Sequence, residues 1–247
     1  MKKEFVAGIL LFLAVGIFIG MNISKINFDS EEIKFEKAEI NGDKIITNLL
    51  AVDDKGKGVS AELITEVKEG DGLVLVNINN VLADYETQNS ARVAAAAASN
   101  YTKIKLNNLD VVFNIKANAS LVAGPSAGSS MAAAVIAALD NKGLNREVVI
   151  TGTISEDGKV GQVGGILEKA EAAKSVNAKL MLVPEGEGKN VKEYVVKKSC
   201  GKAALVDYCK LMYEPVEYEL GEKIGIEIKE VKNIKEVMEY YYGKKEI

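Results

Sequence analysis

Gly124-Pro125-Ser126-Ala127-Gly128 presents one serine on a glycine-flanked turn, and Gly164-Gly165-Ile166-Leu167-Glu168-Lys169 brings one lysine to the opening of a helix. No histidine occurs in the 247 residues, which excludes a Ser-His-Asp triad and most zinc sites. The chemistry left is a serine nucleophile deprotonated by an amine. A free lysine, with a pKa near 10.4, is a poor base at neutral pH; bringing it to about 7–8 takes roughly 3–5 kcal/mol of selective destabilisation of the ammonium, within reach of burial.

The elements around these residues suit that task. Met131, Val135 and Leu139 recur at i, i+4 and i+8, so a helix is predicted over 126–139 with Ser126 in its first turn. Unpaired N–H groups and the positive dipole end gather there, and Gly124, Ala127 and Gly128 form a small-residue turn able to hold an oxyanion. Ile166, Lys169, Ala173 and Val176 share one helix side, which puts Lys169 in an apolar stripe, away from Glu168, Glu171 and Ser175. Lys174 falls on another side and reads as solvated. Thr151 ends a strand at 148–151, from which its hydroxyl could orient the amine.

Each residue has a plainer use. Ser126 could be a helix cap, Lys169 a snorkelling side chain and Thr151 an ordinary strand residue. A glycine- and serine-rich loop before a helix can also cradle phosphate, but the P-loop string G-x-x-x-x-G-K-[ST] is absent.

Further strands are predicted at 73–78, 111–115, 180–183 and near 224–228, with helices at 86–100, 166–176, near 191–198 and 234–242. Glu156-Asp157-Gly158-Lys159 reads as a hairpin turn. Helices and strands mix without a strict βαβ repeat, so the fold class is α+β.

The N-terminus is a separate object. Phe5 to Ile23 runs 19 residues without a charge, about 28 Å as a helix and close to a bilayer's hydrocarbon thickness. It exceeds the apolar part of a signal peptide and no A-x-A cleavage site follows, so residues 1–25 are read as an uncleaved anchor. Lys2 and Lys3 before the span favour a cytoplasmic N-terminus and an extracytoplasmic body. Residues 26–56 read as a stalk with edge strands, and 57–247 as the main domain. Beyond residue 25 the chain carries 28 basic against 34 acidic residues, which argues against nucleic acid as a partner. Cys200 and Cys209 suffice for one disulfide or two thiols and for no metal framework; no cofactor is expected.

Taken together, Gly124 to Gly128, Thr151-Gly152-Thr153-Ile154 and Gly164 to Lys169 resemble the proteolytic domain of Lon-type serine proteases, with 43 residues from Ser126 to Lys169 and 18 from Thr151 to Lys169. The similarity continues through 179–184 and 231–237, and more faintly back to Asn89-Ser90-Ala91, covering roughly residues 57–247. It implies a Lon-like fold, Ser126 as nucleophile, Lys169 as general base, Thr151 as the residue orienting the lysine, an acyl-enzyme, polypeptide substrates and assembly into homo-oligomeric rings. Ala123 and Asn89 stand where the family often has acids, and the ATP-driven unfoldase is missing, so hydrolysis without ATP is expected. Two other functions compete. A non-catalytic binding or assembly module would not need serine, lysine and threonine together. A small-molecule kinase would need a second domain and a metal-binding acid near the loop.

Overall fold

The structure is a computed structural model that describes residues 42–78, 81–118, 121–188, 191–203 and 206–243. Contacts divide the chain into Met1–Lys34 and Phe35–Ile247, and every described residue lies in the second unit. The expected membrane span therefore falls outside the described residues. Among those residues no helix is long and apolar enough to cross a membrane.

Four strands form the larger sheet: β1 (Ile45–Val52), β2 (Gly58–Glu69), β3 (Val74–Asn77) and, after a two-residue β4 (Leu82–Ala83) and helix α1 (Tyr85–Thr102), β5 (Leu109–Lys116). Their order is β1-β2-β5-β3, antiparallel except for the parallel β3–β5 pair. Alternation decides which face is buried: Ala61, Leu63, Thr65 and Val67 of β2 point inward, as do Leu109, Val111, Phe113 and Ile115 of β5. β1 is an edge strand of this sheet, and Ile45 and Leu49 join the core.

The chain then passes through β6 (Leu121–Val122), which pairs with β4, and a 3₁₀ turn (Pro125–Ala127) into α2 (Gly128–Leu139). Every residue of α2 is buried. Such a helix, apolar all round, is a core element, and its alanines face Ala91, Ala94, Ala95 and Ala98 of α1, where short side chains permit close approach.

β7 (Val148–Ile150) and the small hairpin β8 (Thr153–Ile154) and β9 (Val160–Gly161) follow, then α3 (Ile166–Ser175) and β10 (Leu180–Pro184). β11 (Val191–Ala203) and β12 (Val206–Tyr218) form a long two-stranded arm; α4 (Leu220–Ile224), β13 (Glu227–Val231) and α5 (Ile234–Tyr242) complete the chain. In the second sheet β10 lies between β7 and β13, parallel to both, so the ends of all three strands point the same way.

The α+β expectation holds, with corrections. The helix predicted near 191–198 is a strand: three valines and a tyrosine favour extended backbone, and pairing from Val191–Tyr218 to Ala203–Val206 overrides any helical period. Cys200 and Cys209 sit opposite each other in that register and form a disulfide, deciding the open question about the two thiols. The strand predicted near 224–228 begins at Glu227, because 220–224 is helical and Gly225, at φ 78°, terminates it. Ser126 belongs to the 3₁₀ turn rather than to the α-helix that follows.

Candidate functional site

The serine turn is built by hydrogen bonds from two directions. On one flank, Asp84 caps α1 by accepting the Thr87 N–H at 2.8 Å, and its two oxygens also accept the Gly124 N–H at 3.3 and 3.2 Å. Thr87 Oγ1 donates to the carbonyls of Val122 (3.4 Å) and Gly124 (3.3 Å), and Ser90 Oγ donates to that of Pro125 (3.4 Å). Burial opposes ionisation of Asp84, but the hydrogen bonds from Thr87 and Gly124 outweigh it and hold the pKa below its ordinary value.

On the other flank lies the segment just past β7. Gly152 N–H donates to the Ser126 carbonyl at 3.0 Å, and Thr151 Oγ1 makes a longer bond of 3.5 Å to the same oxygen. In return Ser129 donates to the Gly152 carbonyl through both its N–H (3.0 Å) and its Oγ (2.9 Å). Two glycines permit this closeness. A Cβ on Gly152 would meet Val160 Cγ1 at 2.7 Å, and one on Gly128 would meet Ile154 Cγ2 at 3.0 Å. Gly124 is required for another reason: its φ of 98° lies where side-chain-bearing residues are strained.

The small residues expected to face an oxyanion divide in their use. Gly124 N–H is engaged by Asp84, and Gly128 N–H by the Pro125 carbonyl within the 3₁₀ turn, so both shape the turn in this conformation. Ala127 and Ser126 are half-buried.

Lys169 is held by the opposite means. Its side chain points into the protein with 5% of its surface exposed, and among the described residues it makes no hydrogen bond or ion pair. Ala170, Ala172 and Ala173 are buried beside it, while Glu171 and Lys174 are exposed, as the stripe required. Desolvation lowers its pKa, opposed by the negative charges of Glu187 first and Glu168 second. Backbone packing fixes the helix: a Cβ on Gly58 of β2 would overlap the Glu168 carbonyl. Lys174 is not simply solvated, since its Nζ donates to the Ile224 carbonyl at 2.6 Å and caps α4.

Ser126 and Thr151 therefore meet at the end of β7, whereas among the described residues Lys169 makes no hydrogen bond to either and is related to this end of the second sheet only through the charge of Glu187. Thr151 follows β7 directly, its side chain 1% exposed, and its N–H donates to Leu182 of β10 at 3.2 Å. Just past β10, Glu187 accepts the Val163 N–H through both carboxylate oxygens, at 3.0 and 3.3 Å, in the loop that opens α3. In α/β sheets the crevice beyond the carboxyl ends of parallel strands is the usual place for a site.

Residues 33–210 match the family model described as the Lon protease (S16) C-terminal proteolytic domain, and the chain belongs to that family. Curated relatives agree. The Archaeal Lon protease of Archaeoglobus fulgidus is 30% identical over 155 residues, 61% of this chain and 23% of that one. Lon protease 1 of Bacillus subtilis is 26% identical over 159 residues, 60% of this chain and 19% of its own. The Lon protease of Lachnoclostridium phytofermentans is 37% identical over 84 residues, 34% and 10% respectively. The chain thus spans about a quarter or less of the relatives it matches.

Sequence reasoning missed Asp84, Thr87 and Glu187. An Asp three residues before Thr87, ahead of the alanine-rich run, is a cap signal that was legible. Glu187 leaves no local trace, because its partner Val163 is 24 residues away.

Proposed function

We propose that the chain is a serine endopeptidase in which Lys169, neutral at working pH, takes the proton of Ser126 as the hydroxyl attacks a peptide carbonyl. The oxygen–carbon bond forms, the carbonyl electrons move onto oxygen, and the ammonium then returns its proton to the leaving amine. Water would release the acyl group by the same route. The observation that supports this reading is a buried lysine whose ammonium form is disfavoured by desolvation, in the same family-matched domain as a serine whose turn is held by hydrogen bonds on both flanks.

These 247 residues contain no P-loop, so cleavage by them needs no nucleotide and is confined to flexible or unfolded polypeptides, taken up as an added strand. Thr151 is tied to the serine's carbonyl and keeps the turn in register with the strand; its role in orienting the lysine is part of this proposal. We also propose that Phe5–Ile23 anchors the chain, with its body in an extracytoplasmic space and ring assembly as in the family. The Cys200–Cys209 disulfide supports that side, since such bonds persist in oxidising compartments.

The test is cleavage of an unstructured, casein-like substrate without nucleotide. Ser126→Ala and Lys169→Ala each lower turnover by at least about 10³-fold, as removal of a catalytic-dyad member does. Turnover equal to wild type in Ser126→Ala removes the protease and favours the binding module.

A further inference from the structure

Lys169 is buried with no hydrogen bond, yet it must carry a positive charge for part of each catalytic cycle. An ammonium forming in such a place needs a nearby negative charge, or the proton transfer is opposed by the desolvation that made the amine neutral. Around α3 the charged groups are Glu168, Glu171 and Lys174 on the helix itself. The elements packed against it add Asp53 after β1, Lys57 before β2, Glu62, Glu66, Lys68 and Glu69 on β2, and Glu222 and Lys223 on α4. Among the described residues no carboxylate forms an ion pair with the amine; Glu187 first and Glu168 second act on it through space, and burial in turn raises the pKa of Glu187 against the opposing effects of the Val163 N–H and Lys169. Glu168 belongs to the first turn of α3.

Glu187 sits differently. Its N–H closes a turn onto the Pro184 carbonyl at 3.1 Å. The turn is tied to β13 through Glu185 N–H to the Val231 carbonyl (3.2 Å) and Gly188 N–H to Glu230 Oε1 (3.0 Å). From this braced position its carboxylate grips Val163 N–H, in the loop leading into α3. One side chain therefore joins the end of β10 to the loop that aims the lysine.

We propose that Glu187 is the positioning residue for Lys169, clamping the loop that opens the lysine's helix and supplying the counter-charge for the ammonium formed when the serine proton arrives. The proposal rests on the Ser126–Lys169 reading. In the step itself the serine proton passes to the Nζ lone pair, the serine oxygen bonds the carbonyl carbon, and Glu187 stays ionised without exchanging a proton.

Charge and clamp separate in Glu187→Gln, which keeps an oxygen for Val163 N–H but loses the charge. With the attraction gone the neutral amine is favoured, so the lysine's pKa falls. The acid limb of kcat/KM for casein-like substrate moves to lower pH by about half a unit or more, and the plateau of kcat drops while KM changes little. Glu187→Asp, which retains the charge, keeps the wild-type limb and serves if the glutamine variant does not fold. Glu185→Gln, an exposed neighbour paired with Lys232, leaves the limb in place. The rate at which a fluorophosphonate labels Ser126 shows the same shift independently of peptide cleavage. Superimposed limbs for wild type and Glu187→Gln overturn this proposal alone; wild-type turnover that does not depend on Ser126 overturns the dyad, and this proposal with it.

Discussion

Ser126 and Lys169 are held in place by opposite physics. Directional bonds from α1 and from the Thr151–Gly152 segment fix the serine turn, and nearly every carbonyl from Val122 to Ser126 has a donor aimed at it. The lysine is placed by shape: small neighbours, a glycine that lets β2 touch its helix, and burial without a partner. A nucleophile gains from exact orientation, whereas a base of this kind gains from being denied solvation. The two regions should therefore fail in different ways.

Steric intrusion on the lysine side has the largest expected effect. Gly58→Ala places a methyl group in the Glu168 carbonyl, so α3 must shift or unravel. Overpacking of this kind costs about 3 kcal/mol, or about 6–12 °C in Tm for a domain of this size, and fluorophosphonate labelling of Ser126 is lost. Normal labelling would show that shape does not place the base.

On the serine side Asp84→Ala is milder. It removes the α1 cap and the anchor of Gly124, costing about 0.5–2 kcal/mol by thermal melts, while Asp84→Asn restores the cap. Because the carboxylate's pKa is lowered in the folded state, its contribution is complete above roughly pH 4, the unfolded value, and is lost as pH falls through the folded one. A wild-type advantage over Asp84→Ala that persists unchanged at pH 2 would contradict the ionised anchor.

Lys169→Met sharpens the contrast by reversing its sign. Activity disappears, yet the protein is more stable at neutral pH, because an unpaired buried amine gives way to an apolar chain of similar size. The wild-type amine releases its proton at lower pH in the folded state than in the unfolded one. Stability of the wild type accordingly rises with pH from the folded pKa toward about 10.4, and the melting gap between the two proteins closes over that window. A gap that is constant from pH 6 to 10 would mean the lysine is not desolvated.

The smallest effect belongs to the β11–β12 arm. Cys200→Ser opens the link across that hairpin, which frays by hydrogen exchange, since an isolated two-stranded ribbon is marginal. Ser126 labelling is unchanged; a large loss would mean the arm belongs to the site.

The sequence carried the parts of this arrangement that are written in local period. Met131, Val135 and Leu139 announced the buried helix, and Ile166, Lys169 and Ala173 announced a lysine turned inward. The Asp157-Gly158 turn and the strand ended by Pro184 were equally plain. What stayed hidden depends on distant pairing. Glu187 meets Val163 only because β10 delivers it there, and Asp84 reaches Gly124 across 40 residues. The segment near 191–198 read as helix because the partner that keeps it extended lies in the following strand. The twelve-residue β2 was overlooked, although its inward alternation of Ala61, Leu63, Thr65 and Val67 is regular.

Anchorage on both flanks leaves the backbone that carries Ser126 little room to follow a bond that arrives slightly out of line. On the proposed reading the bending falls to the incoming polypeptide, and only a slack chain can bend far enough without breaking its own fold. A serine peptidase of the proposed kind would sort its targets by their looseness before any side-chain preference comes into play.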